Sequence, residues 1–350
     1  MTNDAKPATS AAHRDARDWV KVLNAYCEPS TARSVLEIVV TVLPFLALWG
    51  LSYLAYQVSV WLSLLVAIPA GAFLVRFFLI QHDCGHGAFF KSKLANDWVG
   101  RVLGVFTMTP YAFWKRAHAI HHASHGNLER RGIGDIDTLT LDEYRALTPL
   151  GRIRYRVYRH PIVLFVIGPA YLFLLQHRLP VTQMTIGLTP WVSAMGTNLG
   201  IAALFGGMMW LVGVKAFLLI HIPIVMIAAS IGVWMFYVQH QFEDTIWDHS
   251  DTWEMKTAAL YGSSHYDLPQ PLRWMTANIG VHHVHHLVSR IPYYRLHQAI
   301  EDHPELASLG RITIGQSLKT VKLALWDEAN RRMVTFAEAS KRLQSAPAAA

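Results

Sequence analysis

The sequence predicts an all-α integral membrane protein: four transmembrane helices in two hairpins, with a cytosolic helical cap that holds a His-rich metal site. Three observations predict it. Of 350 residues, 52% are hydrophobic and only 16% are charged, a composition that suits a membrane-embedded chain better than soluble domains. Four long apolar runs are joined in pairs by turns of a few residues. Nine of the 19 histidines fall in three short stretches with helical ligand spacing.

Taken in order, residues 1–34 are expected to form a cytosolic N-terminal segment. Its start is polar, with no apolar core before a small-residue cleavage site, so it reads as disordered rather than as a signal peptide. Asp18 to Leu23 (DWVKVL) reads as a short amphipathic helix on the membrane surface. The membrane domain is expected over 35–300, with its first two spans at about 35–56 and 58–80. Glu37 lies near the start of the first, and Arg76 is close enough to the end of the second to snorkel to the interface. Residues 98–113 are apolar but short and interrupted by Pro110, which suits an interfacial or buried helix. Two further spans are expected at about 191–213 and 217–238.

The stretch 161–176 is apolar too, with Gly168-Pro169 at its centre. If all the histidine stretches reach one site, the crossings between the second and third must be even in number. Counting 161–176 would make them odd, so it is expected to be interfacial or re-entrant. Lys and Arg are abundant in 81–160 and 240–350 and nearly absent from the two outer turns, which places the His stretches and both termini in the cytosol. Residues 301–350 are expected to be cytosolic helices ending in a disordered tail.

The net charge of +7 accompanies no nucleic-acid motif; clusters such as Arg152, Arg154 and Arg156 read as cytosolic residues meeting anionic headgroups. Cys27 and Cys84 make no disulfide framework, and Cys84 reads as a small filler.

The three stretches are His82-Asp83-Cys84-Gly85-His86, His118-Ala119-Ile120-His121-His122 and His282-His283-Val284-His285-His286. On helices, these spacings point two or three imidazoles of each stretch to one place. Clustered imidazoles are poor core fillers and repel when protonated, costs that a metal removes. One zinc needs at most four ligands, so eight or more imidazoles suffice for two ions with open positions. Spacing leaves the element open, because imidazole suits iron, copper and zinc.

HDCGH followed by GAFF, then HAIHH, then HHVHHL followed by IPYY, in that order, resembles the integral-membrane fatty acid desaturases, and is most similar to the Δ12/ω-6 acyl-lipid branch. The resemblance covers roughly residues 35–300. It implies a non-haem centre of two iron ions that uses O2 and two electrons to place a cis double bond in the acyl chain of a lipid. It implies His82, His86, His118, His121, His122, His282, His285 and His286 as ligands, and one more histidine between the second and third boxes. His240, just past the fourth span, takes that role, with His265 as competitor.

His125 and His283 are expected to support the site without ligating, and Asp83, Asn127, Asp135, Asp137 and Asp244 are candidates to orient imidazoles. His221, inside the last span, reads as a histidine bonded across helices. His13, His160, His177, His249, His297 and His303 lack partner spacing and are expected on solvated faces.

With no HPGG-type haem segment, GxGxxG fingerprint or ferredoxin Cys run, electrons are expected from a separate ferredoxin or cytochrome, docked on the basic cytosolic face. Two other readings stand beside the desaturase. The same scaffold supports a hydroxylase, ketolase or alkane monooxygenase. A His-rich membrane metal-binding or transport protein is the non-enzymatic alternative, against which stand histidines clustered at one membrane edge and the lack of a repeat.

Overall fold

The computed structural model describes residues 15–180 and 187–345. The expected disordered start up to residue 14, with His13, and the tail 346–350 lie outside the described residues.

Helix α1 (Ala16–Leu23) is capped by the Asp15 side chain, which accepts the Arg17 N–H. Its apolar residues Ala16, Trp19 and Leu23 are buried, and the Trp19 ring meets His303 edge-on at 5.4 Å. The sequence assigns this face to a membrane surface; in the fold it packs on the protein itself. Amphipathicity says that a face must be covered, not by what.

Helices α2 (Thr31–Val58) and α3 (Val60–His86) form the first hairpin, with Ser59 alone between them. Ser59 is extended, so it ends one helix and starts the next, its side chain accepting the Trp61 N–H. α3 outlasts its apolar run: Gln81, His82 and Asp83 are polar yet helical, and the turn is broken only at Gly87, where φ is +67°. The first His stretch is therefore the last turn of a membrane helix. The second hairpin lies further along the chain and consists of α9 (Thr189–Val212) and α10 (Val214–His240), joined by Gly213 at φ +88°. These four helices are long and apolar enough to cross a membrane. α3 is central, packed against α2 and α10.

Arg76 does not snorkel. It is buried beside Glu37 of α2, with its Nη2 2.7 Å from Glu37 Oε2, its Nε donating to Thr41 Oγ1 and its Nη1 to the Trp274 carbonyl. A charge this deep in an apolar helix pair is held by an opposite charge rather than by reaching water. His221 is likewise packed rather than bonded. It stacks on Phe217 and meets Phe205 edge-on, and neither ring nitrogen has a hydrogen-bond partner among the described residues.

Between the hairpins lie α4 (Lys93–Phe106) and α5 (Tyr111–Ser124), with Pro110 at the start of α5. Helices α6 (Leu141–Ala146) and α7 (Pro149–Tyr158) follow. The stretch around α8 (Gly168–Ala170) has a π-helical segment on either side, Val163–Ile167 and Tyr171–Leu175. It is bent by 59° from α7, so the pair makes no straight span. His177, expected on a solvated face, is buried there against Phe173.

After α10 come α11 (Met255–Tyr261), α12 (Gln270–Met275), α13 (His282–Leu287), α14 (Tyr293–Asp302), α15 (Pro304–Ala307), α16 (Ile314–Thr320) and α17 (Phe336–Ser345). The C-terminal segment is not helical throughout. Leu323–Asp327, buried at every position, pairs antiparallel with Arg332–Thr335 and parallel with Leu139–Thr140. Arg311–Thr313 pairs parallel with His265–Asp267. A continuous buried run of five residues suits a strand covered on both faces, which helical periodicity does not reveal. These strands clamp the loop after the second His stretch and the segment before the third.

Candidate metal centre

Four helices bring the histidines together. α3 contributes its last turn, α5 its last two turns, α10 its final residue and α13 three of its residues, His282, His285 and His286. The imidazoles form two adjacent groups. In the first, one ring nitrogen from each of His82, His86, His118, His122 and His285 lies within 4.8 Å of all the others. The second holds His121, His240 and His286 within the same limit, and His282 joins it with its Nε2 3.0 Å from the His240 Nε2. His122 and His286 stack face to face at 4.0 Å, so the groups share a seam.

Ring positions of this kind fit a metal. Two ligands on opposite sides of one ion, each ~2.1 Å away, are ~4.2 Å apart. His86 Nε2 and both ring nitrogens of His285 and His286 are buried without a hydrogen-bond partner among the described residues. Burial first, and then the neighbouring imidazoles, push His118, His122, His285 and His286 well below the ordinary histidine range. They are therefore neutral at physiological pH, the form that offers a lone pair to a cation.

Carboxylates orient two of them. His121 Nδ1 is 2.5 Å from Asp135 Oδ1; because a carboxylate only accepts, Nδ1 carries the proton and Nε2 turns its lone pair toward His240, 3.2 Å away. His82 Nδ1 lies 3.3 Å from Asp83 Oδ1, while Asp83 Oδ2 accepts the Tyr293 N–H at 2.7 Å. The Tyr293 hydroxyl in turn donates to Glu37 Oε2, which binds Arg76. Tyr293 escapes a reading by sequence, since nothing in its neighbourhood shows that its main chain meets Asp83. Glu37 and Arg76 do carry a signal, as opposite charges in the two arms of one apolar hairpin.

The other candidates point elsewhere. His283 Nε2 donates to the Leu306 carbonyl and His265 Nδ1 to the Ala307 carbonyl, which draws both rings out of the cluster. His125 lies at its edge, with its Nε2 2.8 Å from the Gly262 carbonyl and 3.2 Å from His240 Nδ1, and it also groups with His121 and Asp135. Asn127 Oδ1 accepts from the Glu129 and Arg130 N–H groups and the Ser250 hydroxyl, so it shapes the loop. Asp137 holds that loop through its backbone, and Asp244 is exposed. Cys84 is buried behind His86 and belongs to neither group. Trp114 stacks on His118 at 4.7 Å.

Two cavities reach the cluster. One, about 220 Å³, opens on His86 and is lined by Lys91, Lys93, Lys115 and Arg290. The other, about 270 Å³, has mainly apolar walls, among them Val20, Ala123, Met255 and Leu287, and reaches the seam at His122 and His286.

The family model described as fatty acid desaturase matches residues 59–316. The chain is 42% identical over 325 residues to a fatty acid desaturase of Bacillus subtilis, covering 93% of this chain and 92% of that one. It is 28% identical to an sn-1 acyl-lipid omega-3 desaturase (ferredoxin) of Synechocystis, over 66% of this chain and 64% of that one. It is 26% identical to an sn-1 oleoyl-lipid 12-desaturase of Anabaena variabilis, over 71% of each.

Proposed function

The chain belongs to the fatty acid desaturase family, and from that premise we propose that it is an acyl-lipid desaturase acting near the Δ12/ω-6 position, with two non-haem iron ions held by nine histidines. The observation that carries this reading is the convergence of His82, His86, His118, His122 and His285 beside His121, His240 and His286, with His282 against His240. In the overall reaction, O2, two electrons and two protons combine with the two hydrogens removed from adjacent methylenes, giving a cis double bond and two waters.

Iron supplies the oxidant for an unactivated C–H bond, which no side-chain acid or base can break. The chain's own residues prepare the site. Asp135 keeps the proton on His121 Nδ1, and Asp83 stands at the same nitrogen of His82. Burial of His121, His240, His282 and His286 keeps bulk water from the second group. The mainly apolar cavity at the seam offers acyl carbons a covered approach.

Segments 1–34 and 301–350 and all the histidine stretches lie on the cytosolic side in this reading. The stretch 161–176 turns back without crossing, in keeping with its bend from α7. Electrons come from a separate ferredoxin, the donor named for the Synechocystis relative.

The test is the fatty-acid profile, by gas chromatography with mass spectrometry, of a host expressing this chain or its His121→Ala variant. A new dienoic acid from the intact chain alone supports the reading and locates the bond. A hydroxylated product lost in the variant replaces it with an oxygenase.

A further inference from the structure

The cavity that opens on His86 carries four cations in its lining, Lys91, Lys93, Lys115 and Arg290, side chains that suit neither acyl chains nor a metal ion. Lys91 pairs with Glu28, and Lys115 lies 3.1 Å from Asp97. Lys93 and Arg290 are exposed and make no ion pair among the described residues. These two cations, left without a carboxylate at the cleft, favour the approach of an anionic surface.

Position selects the anion. The floor of the cleft is the edge of His86, half-buried where His121, His282 and His285 are fully covered. A lipid phosphate seated there would put a headgroup, not a methylene, beside the histidine cluster. An acidic redox protein seated there would bring its electron carrier to a surface lined by a histidine of the cluster, and electron tunnelling falls steeply with distance.

We propose that this basic cleft over His86 is the docking site of an acidic one-electron donor of the iron–sulfur ferredoxin class. The proposal rests on the desaturase reading. Each turnover draws two electrons, so two reduced ferredoxins dock in succession; each passes from its one-electron-reduced to its oxidised state, and the electrons leave in the two waters formed from O2.

The test uses the full-length, iron-loaded protein and a plant-type [2Fe–2S] ferredoxin, with binding titrated at low and at physiological ionic strength. The Lys93→Glu/Arg290→Glu pair is expected to weaken binding by about tenfold or more and to flatten its salt dependence. The milder Lys93→Gln/Arg290→Gln pair shifts binding the same way by less. Iron content and turnover driven by a small chemical reductant stay at wild-type values in both. Unchanged ferredoxin affinity overturns the proposal. So does unchanged affinity with a raised KM for lipid under the chemical reductant, which would make the cleft a phosphate site. Wild-type turnover with the small reductant separately decides the desaturase reading, whichever way the titration falls.

Discussion

The two histidine groups differ in enclosure and in support. The five-histidine group is open: His86, His118 and His122 are half-buried and a charged cleft reaches it. The smaller group is more enclosed, with His121, His240, His282 and His286 all buried and His286 at the wall of the apolar cavity. The open group is backed by a buried chain of contacts from Asp83 through Tyr293 to Glu37 and Arg76. The closed group leans on one carboxylate, Asp135, and on a loop clamped by the C-terminal strands. Redundant ligands tolerate loss where the site meets solvent; a minimal set has to be enclosed and fixed.

The largest effect tests ligand redundancy. His240→Ala leaves the closed group without the imidazole on which His121 and His282 converge, whereas His86→Ala leaves the open group four. Iron per chain, measured by mass spectrometry after dialysis against a chelator, should fall by about half in His240→Ala, with double-bond formation undetectable, and fall less in His86→Ala. Equal losses would break the comparison.

Next is the support behind the open group. Glu37→Gln leaves Arg76 buried without its carboxylate, at a cost of about 3–5 kcal/mol. Thermal unfolding in detergent should show it, and Arg76→Met in the same background should recover part of the loss.

A smaller effect separates the orienting carboxylates. Asp135→Asn should weaken iron binding about 10–100-fold. Asp83→Asn should weaken it less, because its contact with His82 is longer and four other histidines share that group. Chelator competition ranks the two.

The smallest concerns the clamp. His249 bridges Glu129 and Glu328, and those two hydrogen bonds raise its pKa above the ordinary 6.5. A raised folded value means that this support is fully present below pH 6.5 and is lost as pH rises through the raised value. Protection of the 323–335 hairpin amides, taken relative to their intrinsic base-catalysed exchange rates, should therefore fall on passing to alkaline pH, and this fall should vanish in His249→Ala.

Much of this was legible in the chain. The four apolar runs announce four helices, since a segment in lipid must bond its own backbone, and the spacing within each His stretch announces imidazoles on one face. The family resemblance added the iron chemistry and pointed to one more histidine. What misled was always a question of partner. Arg76 reads as a snorkelling end when Glu37 is far off in sequence, α1 reads as lying on the membrane surface when the cover of its apolar face is α11 and the His303 ring, and Leu323–Asp327 reads as helix when its neighbours are strands from elsewhere.

The sequence by itself determined the membrane helices and the chemistry on offer, because periodicity and spacing are local properties of the chain. Only the tertiary structure decided how the histidines divide into an open and a closed group. It also decided that Asp135 rather than Asp137 meets His121, and that Tyr293 ties Asp83 to a buried ion pair. Those choices depend on distances between residues far apart in the chain, which packing sets and no local pattern encodes.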